Sequence, residues 1–153
     1  MVSAGTDLLY PSLEGLPLLS AEQLRSIREA AMIPLSESTP LLEELVRMSW
    51  LTIYQAGKIL HGRGSELVIG GFLLLEKIGE GGMGKVYRAR QLNLDRIVAL
   101  KVVRRDLLNN PKVLQRFHRE ARIAASLDHP NIVRLYDADR VDGNYYLSME
   151  FVR

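Results

Sequence analysis

Apolar and polar positions change period partway along the chain. From Ser20 to about Leu60, apolar residues recur at helical spacing: first Leu24, Ile27 and Ala31, then Leu41, Leu42, Leu45 and Val46. Each stretch opens with a recognisable start signal. Ser20 with Gln23 three residues on forms a capping box, in which the hydroxyl and the amide side chain satisfy free backbone N–H groups at the helix start. Pro34 is expected to end that helix. Thr39-Pro40 opens a second, because proline suits the first helical position. Thr52 and Gln55 make another capping box, predicting a third helix to about Leu60 that Gly62 or Gly64 can terminate. Residues 1–19, interrupted by Pro11, Gly15 and Pro17, are expected to be irregular.

Past Gly64 the apolar residues fall into short runs bounded by glycine and polar clusters. Strands are predicted over 72–78, 85–90 and 97–103, then a helix over 111–127, then strands over 132–138 and 145–152 with a turn around Asp142-Gly143-Asn144. Short links between consecutive strands imply antiparallel pairing. The expected fold class is α+β: a five-stranded antiparallel sheet with one helix, preceded by a small all-helical segment. The expected divisions are 1–19, 20–64 and 70–153. The apolar stripes of the helical segment either pack on each other or on the following domain, or form a docking surface for another protein.

Composition narrows the function. Hydrophobic residues at 47% and charged residues at 25% are ordinary for a globular chain and argue against disorder. The formal net charge of +2 gives no reason to expect a nucleic-acid partner, and the tight pair Arg104-Arg105 reads as a solvated strand end. The absence of cysteine excludes disulfides, thiolate catalysis and cysteine-bound zinc. His61, His118 and His129 lack metal-ligand spacing. No basic, apolar leader is visible over residues 1–10, and no apolar run reaches membrane-spanning length, so a cytoplasmic location is expected.

The segment from Ile78 to Val86 contains Gly79-x-Gly81-x-x-Gly84. Glycines allow close backbone approach, so their N–H groups can cradle phosphate oxygens. The string also occurs in dinucleotide folds and in plain turns. A dinucleotide site needs a helix after the glycines. Here Lys85-Val86-Tyr87-Arg88-Ala89-Arg90 follows, which reads as strand. The glycines therefore belong to a hairpin tip that can lie as a flap over a nucleotide.

Two charges sit in apolar surroundings. Lys101 lies within Ile97-Val98-Ala99-Leu100-Lys101-Val102-Val103 and shares a strand face with Ala99. A small residue beside a cation suits a flat ring next to phosphates. A buried ammonium needs an anion. Glu120 falls in the helical stripe of Val113, Phe117, Ala124 and Leu127, so Lys101 and Glu120 are expected to pair as buried groups. The alternatives are a lysine reaching out from a strand end and a solvated Glu120 on a rotated helix.

Taken in order, Gly79-x-Gly81-x-x-Gly84-x-Val86, Val98-Ala99-Leu100-Lys101, mid-helix Glu120, His129-Pro130-Asn131-Ile132-Val133 and Met149-Glu150-Phe151-Val152 resemble the N-terminal lobe of a protein kinase over roughly residues 70–153. The wording looks most like bacterial Ser/Thr kinases of the eukaryotic type, with a lead-in similar to those of planctomycete-like bacteria. The resemblance implies ATP with magnesium as cofactors and a protein substrate. It places the loop residues Gly79, Glu80, Gly81, Gly82, Met83 and Gly84 over the phosphates. Ile78, Val86 and Ala99 would sandwich the adenine, and Lys101, held by Glu120, would meet the α- and β-phosphates. Met149 would stand at the back of the pocket, with the Glu150 carbonyl and the Val152 N–H reading the adenine edge. Ala124 and Leu135 match positions in the apolar column that links the two lobes.

The catalytic His-Arg-Asp loop with its asparagine and the Asp-Phe-Gly motif do not occur in the sequence. His118-Arg119-Glu120 lies on the predicted helix and is not that loop. The chain stops at Arg153, where the resemblance puts the hinge, so a fragment with negligible transfer by itself, weak ATP binding and an exposed apolar lower face is expected. A non-enzymatic interaction module and a nucleotide sensor are the alternatives.

Overall fold

A computed structural model describes residues 7–153, and these divide into two compact units, residues 7–68 and 69–153. The first unit holds α1 (Leu9–Glu14), α2 (Ala21–Ile27), α3 (Thr39–Arg47) and α4 (Ile53–Leu60), with short 3-10 turns at Leu35–Glu37 and Gly64–Leu67. Both capping boxes form: Ser20 with Gln23 on α2, and Thr52 with Gln55 on α4. Proline opens α3 in its first turn. Leu9, Leu13, Leu45, Ile59 and Leu67 are fully buried.

Two expectations fail here. The stretch read as irregular contains α1, because Pro11 falls in the first turn, where a helix makes no use of the missing N–H. Residues 1–6 of that stretch lie outside the described residues. Helix α2 also stops at Ile27, well before Pro34, and Ala31 is buried from the following turn rather than from a helix.

The second unit is built on an antiparallel sheet of β1 (Val68–Ile69), β2 (Phe72–Glu80), β3 (Gly84–Gln91), β4 (Arg96–Val103), β5 (Leu135–Val141) and β6 (Asn144–Glu150), with α5 (Pro111–Ser126) between β4 and β5. Its strand order is β1-β2-β3-β4-β6-β5. The sixth strand beyond the five expected is the two-residue β1. Positive φ at Asp142 and Gly143 closes the β5–β6 hairpin as a tight turn.

Strand pairing sorts side chains onto two faces. Leu100 lies opposite Tyr87 on β3 and Ser148 on β6, while Val102 lies opposite Tyr146. The Phe72 and Tyr146 rings meet edge-on at 5.1 Å although β2 and β6 are not neighbours, so the sheet curls around this face. The other face carries Ala99, Lys101 and Val103. Against it packs α5, through a core of Val103, Phe117 and Leu147 joined by Val113, Ala121, Leu135 and Met149.

Three further boundaries differ from expectation. β5 begins at Leu135, not Ile132, because a turn from the His129 carbonyl to the Ile132 N–H takes up the preceding residues and leaves Ile132 and Val133 each 42% exposed. β6 ends at Glu150, so Val152 lies beyond it. The core-facing stripe of α5 runs through Val113, Phe117 and Ala121, while Leu127, past the helix end, is exposed.

Candidate functional site

The β2–β3 hairpin carries the glycines. Gly79 pairs with Val86 and Glu80 with Lys85, and the tip closes by a hydrogen bond from the Gly81 N–H to the Gly84 carbonyl at 2.9 Å. Gly84 is demanded by backbone packing: a Cβ there would lie 1.9 Å from the Val102 carbonyl oxygen. Gly81 and Gly82 are exposed with open space where a side chain would go. The tip is thus clamped at its C-terminal end and open at its centre. Met83 is half-buried. Its carbonyl accepts from the Arg104 N–H at 2.8 Å, and its sulfur lies 4.0 Å from Arg116 Nη1. Neither tie to Met83 was expected from the sequence. The Lys77 ammonium hydrogen-bonded to Glu80 at 3.1 Å holds that carboxyl below the usual range, so it is an anion at neutral pH.

Behind the hairpin, register brings the remaining residues onto one face. Val86 lies opposite Lys101, and Lys101 opposite Leu147. Ala99 lies opposite Met149, and Met149 opposite Leu135. Residues two apart share a strand face, so Val86, Ala99, Lys101 and Met149 stand together. Lys101 Nζ donates to Glu120 Oε2 at 3.2 Å. The pairing expected from the sequence is present, but its burial is not: the two side chains retain 30% and 40% of their exposure. The physical reason is the rotation of α5, which turns Ala121 rather than Glu120 into the core. A pair this exposed contributes little to stability, on the order of 1 kcal/mol or less. Its consequence is to fix the direction of the ammonium.

The outlying residues are more open. Ile78 is 46% exposed and Val152 64%. The Glu150 N–H donates to the Arg134 carbonyl at 2.8 Å, tying β6 to the segment before β5. The unit also carries concavities. One of about 420 Å³ is lined by Leu127, His129, Pro130, Ile132, Tyr136 and Glu150, among others, and one of about 560 Å³ by Glu76, Arg88, Ile97, Phe151 and Arg153. Lys101 lines neither of these two.

A glycine flap, a lysine fixed by a helix carboxylate and a small apolar floor form one continuous surface. The model of the protein kinase domain matches residues 72–153, more than half of the chain, and the chain belongs to that family. It carries the N-lobe, the ATP-binding half of the kinase fold. Among curated relatives, the Ser/Thr protein kinase PrkC of Bacillus subtilis is 48% identical over 85 residues, which is 56% of this chain and 13% of PrkC. The Ser/Thr protein kinase pkn3 of Myxococcus xanthus is 51% identical over 76 residues, 49% of this chain and 14% of pkn3. The chain therefore spans only a small part of the relatives it matches. Among solved structures, the PknI kinase domain of Mycobacterium tuberculosis aligns with a TM-score of 0.47 and 29% identity, covering 56% of this chain and 34% of that one. No helix among the described residues is long and apolar enough to cross a membrane.

Proposed function

We propose that this chain binds Mg-ATP on the face of Lys101 and the glycine loop, as the N-lobe of a Ser/Thr protein kinase that transfers the γ-phosphate to a protein hydroxyl. The observation that carries the reading is Lys101 Nζ held at 3.2 Å by Glu120, on the strand beside the glycine hairpin. A half-exposed ammonium with one carboxylate partner keeps donors free for phosphate oxygens. The backbone at Gly81 and Gly82, unobstructed by side chains, can approach those oxygens closely. Ile78, Val86 and Ala99 supply the apolar contact for adenine, Met149 closes the back, and the Glu150 carbonyl with the Val152 N–H reads the adenine edge.

These residues bind and orient; none of them positions a substrate hydroxyl. Phosphoryl transfer rests on positioning together with charge neutralisation by metal. Magnesium would arrive with the phosphates, and no residue described here is proposed as its ligand. The first unit is proposed to be a separate helical appendage to the lobe, with residues 70–153 as the kinase portion.

The test is a calorimetric titration of the chain with Mg-ATP and, separately, with adenosine. ATP should bind at least about tenfold more tightly, because a charged hydrogen bond to phosphate contributes on the order of 1.5–3 kcal/mol. Equal affinities, or no binding of either at millimolar concentration, would sink the reading.

A further inference from the structure

Helix α5 turns two side chains, one turn apart, toward the nucleotide face. Glu120 holds the Lys101 ammonium, and Arg116, four residues earlier, brings Nη1 to 4.0 Å from the Met83 sulfur. Residues at that spacing share one face of a helix. Met83 is the single residue with a side chain of any size between Gly81 and Gly84, and it is half-buried where Gly81 and Gly82 are exposed. Its carbonyl is already fastened to the Arg104 N–H at 2.8 Å. A tip made of glycine has little stiffness of its own, so the ties of Met83 add to the Gly81 N–H to Gly84 carbonyl bond that closes it.

We propose that Arg116 is a positioning residue: acting through Met83, it holds the glycine loop against α5, so that one helix sets both the loop and Lys101. The functional consequence rests on the nucleotide reading above; the contact itself does not. A thioether is a weak acceptor and a soft contact surface, and Arg116 is exposed. The restraint is therefore modest and acts on the fraction of time the loop is closed, not on the stability of the lobe. A shift of α5 would release Lys101 and the loop tip together.

The test uses the full chain without nucleotide and follows hydrogen exchange of two amides by NMR. These are the Gly81 N–H, bonded to the Gly84 carbonyl, and the Arg104 N–H, bonded to the Met83 carbonyl. Arg116→Gln should speed both about threefold, the size expected for one weak hydrogen bond. Met83→Ala should do the same, and the double variant should exchange no faster than either single one, because a shared contact is lost only once. Arg119→Gln removes the same charge nearby and should leave both amides unchanged. Mg-ATP affinity in Arg116→Gln should fall by a similar factor. Unchanged exchange in Arg116→Gln, equal acceleration in Arg119→Gln, or additive effects in the double variant would overturn the proposal. If the unaltered chain binds no Mg-ATP, the nucleotide reading fails, and the exchange cycle still decides the loop contact.

Discussion

Strand β4 separates two environments with alternate residues. Val98 and Leu100 face the inside of the curled sheet and are completely buried. Ala99 and Lys101 face α5, and Lys101 keeps 30% of its side-chain exposure. One strand thus fills the inside of the sheet with one face and, with the other, presents the site beside a second core under α5. The difference teaches where a change should cost folding and where it should cost binding: the period of two along a strand keeps the two almost independent.

The largest expected effect breaks the scaffold side. Gly84→Ala forces a Cβ to within 1.9 Å of the Val102 carbonyl oxygen, so the β3 and β4 backbones must move apart. Leu100→Ala opens a cavity in the fully buried face. Each should lower stability by about 3 kcal/mol, measured by urea denaturation. Gly81→Ala meets open space and should leave the urea midpoint nearly unchanged while weakening Mg-ATP binding. A midpoint loss at Gly81 as large as that at Gly84 would erase the contrast between the clamped and open ends of the loop.

A smaller effect sharpens the same comparison in the opposite direction. Ser148 lies opposite Leu100 with its hydroxyl buried and without a hydrogen-bond partner among the described residues. Removing an unsatisfied buried hydroxyl relieves its desolvation penalty. Ser148→Ala should therefore raise stability by about 1 kcal/mol in the same denaturation assay. A loss of stability would mean that the hydroxyl is satisfied.

The smallest effect near neutral pH concerns Tyr146. Burial, reinforced by the Asp137 carboxylate that accepts its hydrogen bond at 3.2 Å, pushes its phenol up to about 12. The folded chain keeps this proton while the unfolded chain loses it near the ordinary value of about 10. The contribution is therefore constant below about pH 10 and declines between about 10 and 12. Denaturation of the parent and of Tyr146→Phe across that range should show a shallower decline in the variant. Identical slopes would remove the assignment.

Local chemistry made much of the fold legible in the sequence. The two capping boxes are short-range hydrogen-bond patterns, and they form where the spacing placed them. The hairpin glycines and the pairing of Lys101 with Glu120 were readable because charges on apolar elements and clustered glycines are rarely accidental. What failed depended on geometry that the residue pattern does not fix. Pro11 reads as a breaker in isolation, but its effect depends on its position within a helix turn. Ile132 and Val133 have strand chemistry, yet the turn from His129 takes them out of the sheet. The degree of burial at Glu120 depends on how α5 rotates about its axis, and a stripe containing both Ala121 and Ala124 leaves that open. The approach of Arg116 to Met83 joins residues far apart in the chain and has no local signature.

The most direct measurement is Mg-ATP affinity of the chain carrying Lys101→Met, with its stability measured in parallel. The replacement keeps the aliphatic stem and removes the ammonium that Glu120 holds at 3.2 Å. The prediction is a loss of affinity of about tenfold or more with a stability change below about 1 kcal/mol, because the pair is half-exposed and orients more than it stabilises. Unchanged affinity in a folded Lys101→Met chain would contradict the claim that this face reads the phosphates of a nucleotide.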